Sequence, residues 1–375
     1  MGMGLFGNRP GGAAILALVS LVAIACGSES APPWTADLEV EVWSQVNGGK
    51  LTRKNKLVAF DDRVLLFAVV EKDGARYSSC PEAIEAGVTR SLESLGVEFE
   101  FEWYKVETER SLYCTKAGFE QFLEDSKLPR KMAWYFFDKL ALDRPRYISS
   151  RFGDGGSGVP ADVEPRFAPA LRWGGEPVGT MRFKVVAGAG PHEIESPGER
   201  ELESSSFARK DRVHRISAKA DTGSDVLDVG FAHGNLPYFY GSASRRWEWY
   251  GSDCAKFVSA VYSRVVDRDF GYLGTGRLIG KRARSVINGV DPDGVYTWDG
   301  KRIEFGKHVL PGDIVVVNPS PHHAGLIGLD ANGNGLLDRE DPVLHTGGGA
   351  PEYEPIGDTS LGRPHARLKI LKIRH

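Results

Sequence analysis

The chain has 375 residues, 41% of them hydrophobic and 26% charged, with a formal net charge of −3. That length is enough for two domains with cores of their own. The balanced charge argues against nucleic-acid binding as the main task, because no basic stripe is present to neutralise phosphates.

An apolar run from Ala13 to Ala25 ends at Cys26, with small Ala23 and Ala25 before it and Arg9 upstream. At about 1.5 Å per residue the run reaches about 20 Å against a hydrocarbon core of about 30 Å, so a spanning helix fits poorly. The segment resembles the lipobox of bacterial lipoprotein signals. That resemblance implies cleavage of residues 1–25, acylation of Cys26 and a membrane anchor of more than one acyl chain. An ordinary secretory signal is the alternative. Gly27 and Ser28 supply no aspartate after the anchor, which points to the outer membrane and periplasm where the cell has them. Residues 26–35, small and proline-containing, read as a tether.

Residues 38–42 and 97–103 alternate apolar and acidic side chains and are expected as strands. Between them Ile84, Val88 and Leu92 recur every fourth residue after Pro81 and before Gly96, which predicts a helix. Residues 115–124 and 130–142, separated by Pro129, read as two more. The span 36–187 is therefore expected as an α+β domain whose role the residues do not disclose. In an oxidising compartment Cys80 and Cys114 read as a disulfide, leaving Cys254 as the odd thiol: inert, intermolecularly bridged or reactive. Residues 188–206, with two prolines and many glutamates and serines, have the composition of an interdomain linker, and 207–375 follow as a second domain. There Asp221-Thr222-Gly223-Ser224 matches the aspartic-protease tetrapeptide but has no second copy, and reads as a polar turn before a helix near Val226.

Cys254 opens an amphipathic stretch in which Phe257, Val258, Val261, Tyr262 and Val265 fall at helical spacing, so the thiol is expected in the first turn of a helix. A helix N-terminus and a nearby imidazolium can lower a thiol pKa from about 8.5 to about 3.5–7.5, and thiolate is the form expected. Downstream come Pro311-Gly312-Asp313, a buried strand, a second strand carrying His322 and His323, and a third with His345. Tyr238 to Gly241, Asp253-Cys254, Pro311 to Asp313 and His323 to Leu326, in this order, resemble the signature of the NlpC-type, papain-like cell-wall peptidases. The resemblance covers roughly residues 207–375. It implies a papain-like α+β domain with a helix-borne cysteine on an antiparallel sheet, set after a separate N-terminal α+β domain. It also implies a Cys254–His323–His345 triad, Tyr238 contacting the amino end of the substrate, and hydrolysis of an amide in peptidoglycan stem peptides. His323 would be general base and then acid, His345 would orient it, and the Cys254 N–H would hold the oxyanion. Ala255 and Lys256 stand where the family usually has serine and glycine. Two other readings stay open: a binding lipoprotein that has lost catalysis, and an acyl transferase using the same residues.

Between the histidine strands, Asp330, Asn332, Asn334, Asp338 and Asp341 occupy positions one, three, five, nine and twelve of a loop with Gly335 at six and the Leu336 carbonyl at seven. This pattern resembles a dockerin or EF-hand loop and predicts bound Ca²⁺, with a hairpin needing no metal as the alternative.

Overall fold

In the N-terminal half, both stretches expected as strands from their alternation overlap strands, Glu39–Val46 and Glu100–Thr108. The computed structural model describes residues 38–80, 89–108, 123–130, 147–152, 161–163, 171–204, 212–238, 251–268, 274–317, 322–347, 350–362 and 368–371. Strand β1 (Glu39–Val46) buries Val40 and Val42 and pairs antiparallel along its length with β3 (Val64–Lys72). A two-residue turn, Asp73 and Gly74 at φ 50° and 71°, leads into β4 (Ala75–Ser78), the primed geometry that matches strand twist. β5 (Thr89–Ser91) adds to β4 in parallel, and β8 (Ala161–Val163) to β3. The helix expected around Leu92 is thus replaced, where described, by β5 and a short 3-10 turn, Leu92–Leu95, which Gly96 ends at φ 68°. Of the other two expected helices only fragments are described, with residues 123–126 helical. Cys26, its anchor, its tether and Cys114 lie outside the described residues, and with them the lipidation and the Cys80–Cys114 pairing.

A second sheet runs β2 (Lys56–Ala59), β13 (His214–Lys219), β11 (Gly179–Ala189), β6 (Glu100–Thr108), β7 (Tyr147–Phe152), with β12 (His192–Glu195) on β11. It corrects the linker reading. Residues 188–206 contribute the end of β11, all of β12 and helix α1 (Glu199–Ser204), and β13 crosses back into the N-terminal sheet. The polar side chains that suggested a solvated tether have partners on β11 and β7, outside the segment or at its start. Glu195 and Glu199 hold the nearly buried Lys184 ammonium at 2.6 and 3.0 Å, Glu203 accepts from the Tyr147 N–H at 2.8 Å, and Ser196 accepts from the Val185 N–H at 2.9 Å. No division of the chain falls here: residues Asp37–His375 group as one unit.

The third sheet runs β14 (Ala283–Ile287), β22 (Leu368–Leu371), β18 (Ile314–Val317), β19 (His323–Ile327), β20 (Pro342–His345), β21 (Glu352–Pro355), antiparallel throughout. One face presents Ile314, Val316, Ala324, Leu326 and Leu344 to helices α2 (Asp225–Phe231) and α3 (Cys254–Val265). The other presents Val315, Val317, Ile327 and Val343 to Tyr296, Ile303, Leu337 and Ile356. Phe257, Val258 and Val261 of α3 are fully buried, which at about 1.5–3 kcal/mol per side chain accounts for the firm seating of that helix. Helix α4 (Thr275–Arg282) and two small sheets, β9 (Arg172–Trp173) with β10 (Glu176–Pro177), and β15 (Gly289–Val290), β16 (Tyr296–Trp298) and β17 (Lys301–Arg302), complete a mixed α+β fold made mostly of strands. No helix among the described residues is long and apolar enough to cross a membrane.

Candidate active site

Helix α3 starts where it does because Asp253, extended at φ −81° and ψ 175°, accepts from the Lys256 N–H at 2.7 Å and caps the first turn. Its far end is tied by Tyr262, whose Oη donates to the Gly312 carbonyl at 2.7 Å, while Ser224 Oγ donates to the neighbouring Pro311 carbonyl at 3.2 Å. Gly312 is required in this turn: it sits at φ +90°, and a Cβ there would lie 2.8 Å from Val226. The Pro-Gly-Asp turn is therefore a clasp between the sheet and both helices. Ser224 also caps α2, and Thr222 bonds Asp228 at 2.7 Å, so the Asp-Thr-Gly-Ser tetrapeptide is a polar turn.

Cys254 is the first residue of α3 and is buried. Burial pushes its thiol up to about 12, and the Asp253 charge adds to the rise; the backbone N–H groups of Ala324, Ala255 and Cys254 itself pull the other way without reversing it. This overturns the expectation of a resting thiolate. The helix N-terminus is present, but desolvation and the capping carboxylate outweigh it.

On the sheet, three side chains form a continuous chain of hydrogen bonds. His323 Nε2 lies 2.9 Å from His345 Nδ1, and His345 Nε2 lies 2.8 Å from Glu354 Oε1. The two rings stand at 89° with centroids 4.9 Å apart. Burial pushes His323 down to about 3, and the adjacent His345 ring acts in the same direction, so the resting imidazole is neutral. His322 is exposed at φ 32° and stands outside this chain. Gly325 follows from the geometry too: a Cβ there would lie 2.6 Å from Val343 Cγ2 and 3.0 Å from His345 Cβ.

The cysteine is not hydrogen-bonded to either ring. Ala324 and Leu326 face helix α3, so alternation turns His323, Gly325 and Ile327 to the opposite face of β19. Cys254 opens its helix and His323 opens its strand, and the Ala324 N–H that acts on the thiol is one peptide from His323. Thiol and imidazole can meet only around that strand end. Tyr238 is buried and forms a parallel bridge with Ser252, and the Ser252 N–H donates to the Pro237 carbonyl at 3.1 Å, two residues from Cys254.

No family model, no curated protein and no solved structure matches this chain. The site therefore rests on its own geometry.

Glu354 was not among the residues singled out from the sequence. The pairing of β20 with β21 sets Val343 opposite Glu354 and His345 opposite Glu352, which puts Glu354 diagonal to His345 on the same face. The Glu352-Tyr353-Glu354 alternation marks that face, but the register depends on the connection between the two strands, whose glycine-rich sequence fixes no offset by itself.

The loop 330–341 folds onto its own oxygens. Asp330 accepts from the Gly333 and Gly335 N–H groups at 2.8 and 2.7 Å, Asn332 and Asn334 donate to Asp338 at 2.9 Å each, and Asp341 accepts from Ala331 and Asp338 at 2.9 and 2.7 Å. Gly335, at the sixth position, has φ +76°, and no backbone hydrogen bond among the described residues engages the Leu336 carbonyl. Asp341 is fully buried. Burial pushes its carboxyl up to about 6, backbone N–H groups pull it down, and the charges of Asp338 and Asp330 raise it further. Among the described residues no group of three or more His, Cys, Asp or Glu side chains is arranged to hold a metal ion. The loop does carry the oxygen donors and the sharp glycine turn that a calcium site needs.

Proposed function

We propose that this protein is an exported thiol hydrolase of papain-like design that cleaves an amide, with peptidoglycan stem peptides as the substrate class and Cys26 as its lipid anchor. One observation carries the reading: the His323–His345–Glu354 chain ends one peptide from the N–H that acts on the Cys254 thiol. As the sulfur attacks the amide carbon, its proton passes to His323 Nδ1, and the oxyanion is met by the Cys254 N–H at the helix start, a donor worth about 2.7–4 kcal/mol in such reactions. His323 then protonates the departing amine. The thioester is hydrolysed by water that His323 deprotonates, which restores the thiol. Because the resting thiol is neutral, this is base-assisted attack of the kind a serine hydrolase uses, and His345 and Glu354 orient the base. Tyr238 borders the amino end of the substrate.

The loop residues Asp330, Asn332, Asn334, Leu336, Asp338 and Asp341 would hold a calcium ion that supplies charge neutralisation for the crowded carboxylates, on the connection between the two histidine strands. The same buried, neutral thiol favours a second reading, a wall-binding lipoprotein without catalysis. Digestion of purified wall material separates the two. The hydrolase releases fragments with new amino groups, and Cys254→Ala and His323→Ala do not; a wild-type protein that binds wall material and releases nothing is a binding module.

A further inference from the structure

We propose that Glu354 is a positioning residue that fixes the proton on both imidazoles and so leaves the free lone pair on His323 Nδ1. A carboxylate only accepts hydrogen bonds, so His345 Nε2, 2.8 Å from Glu354 Oε1, carries a proton. In the neutral form of His345, which has one N–H, Nδ1 is then bare. It lies 2.9 Å from His323 Nε2, which must then be the donor. The bare nitrogen of His323 is Nδ1, and among the described residues no hydrogen bond engages it. Reversing the chain would set the His345 lone pair against a carboxylate lone pair at 2.8 Å.

The rings are held for this task. His345 is buried, with its Cβ beside Gly325 and its ring beside Gly347, where an added Cβ would lie 3.0 and 3.4 Å away respectively. The Glu354 side chain is 37% exposed, so the carboxylate keeps its contact with water while its hydrogen bond reaches the buried pair. The hydrogen bond of Glu354 is to His345 and not to Cys254, and it acts through that ring. That His323 Nδ1 serves as the base for Cys254 rests on the hydrolase reading, whereas the proton pattern does not.

The test is nitrogen NMR of histidine-labelled full-length protein, since protonated and bare ring nitrogens resonate in separate regions. The native protein should show Nε2–H on both His323 and His345. Glu354→Gln, which keeps a carbonyl acceptor, should retain that pattern, and Glu354→Ala should shift both rings toward Nδ1–H with at least a several-fold loss of amide cleavage. Nδ1–H on His323 in the native protein, or unchanged ring signals in Glu354→Ala, would overturn the proposal. Both expected patterns in a protein that cleaves nothing would leave the proton chain standing and remove the hydrolase.

Discussion

The charge at Asp253 and the burial of Cys254 make a quantitative prediction about the thiol. With the thiol pushed up to about 12, only about one part in 10⁵ is thiolate at pH 7, against about 3% for a free cysteine near 8.5. The more basic thiolate is the better nucleophile, and a Brønsted slope of about 0.45 returns about one and a half orders of magnitude. Alkylation of Cys254 by iodoacetamide at pH 7 should therefore be about 100-fold slower than that of free cysteine, and slower again for want of access. The rate should climb about tenfold per pH unit from 7 to 10 without a plateau. Asp253→Asn keeps the cap on the Lys256 N–H but removes the charge, and should move the whole curve to lower pH. Peptide mass mapping after timed alkylation reads both. A rate that is flat from pH 5 to 8, the mark of a resting thiolate–imidazolium pair, would refute the reasoning, as would an Asp253→Asn curve at higher pH.

Two further outcomes follow from neighbouring contacts. Gly325→Ala places a methyl 2.6 Å from Val343 and 3.0 Å from His345, and overpacking of this kind costs about 1–3 kcal/mol; urea unfolding should show it together with a loss of cleavage larger than the stability change explains. The Asp341 carboxyl, held at about 6 against about 3.9 unfolded, stabilises the ion-free fold fully below about 3.9, and the benefit is lost as pH rises from there through 6. Calcium needs the carboxylate, so calorimetry should find binding about tenfold weaker at pH 5 than at pH 7 and absent in Asp330→Ala; equal affinity at the two pH values would show that Asp341 is not a ligand.

Local rules reached the helix of Cys254 and the strands of His323 and His345, because a stripe at helical spacing and short apolar runs bounded by turn residues leave little choice. The same rules failed at 188–206. There the glutamates and serines looked like solvent-facing groups, yet Lys184, Tyr147 and Val185 hold them, and such partners cannot be seen within a short window. Over residues 89–95 the helix reading failed for a related reason, since Thr89–Ser91 pair in parallel with β4, a partner outside the local window. The thiol's ionisation was misjudged because a helix N-terminus is legible in sequence and depth of burial is not. Glu354 needed the register of one hairpin.

The covalent role of Cys254 is tested most directly by digesting wall peptides with hydroxylamine present. An acyl group carried on the Cys254 sulfur would be intercepted, so part of the carboxylic acid product should appear as hydroxamate in the wild-type reaction and neither product in Cys254→Ala. Fragments released at equal rate by Cys254→Ala would contradict the account.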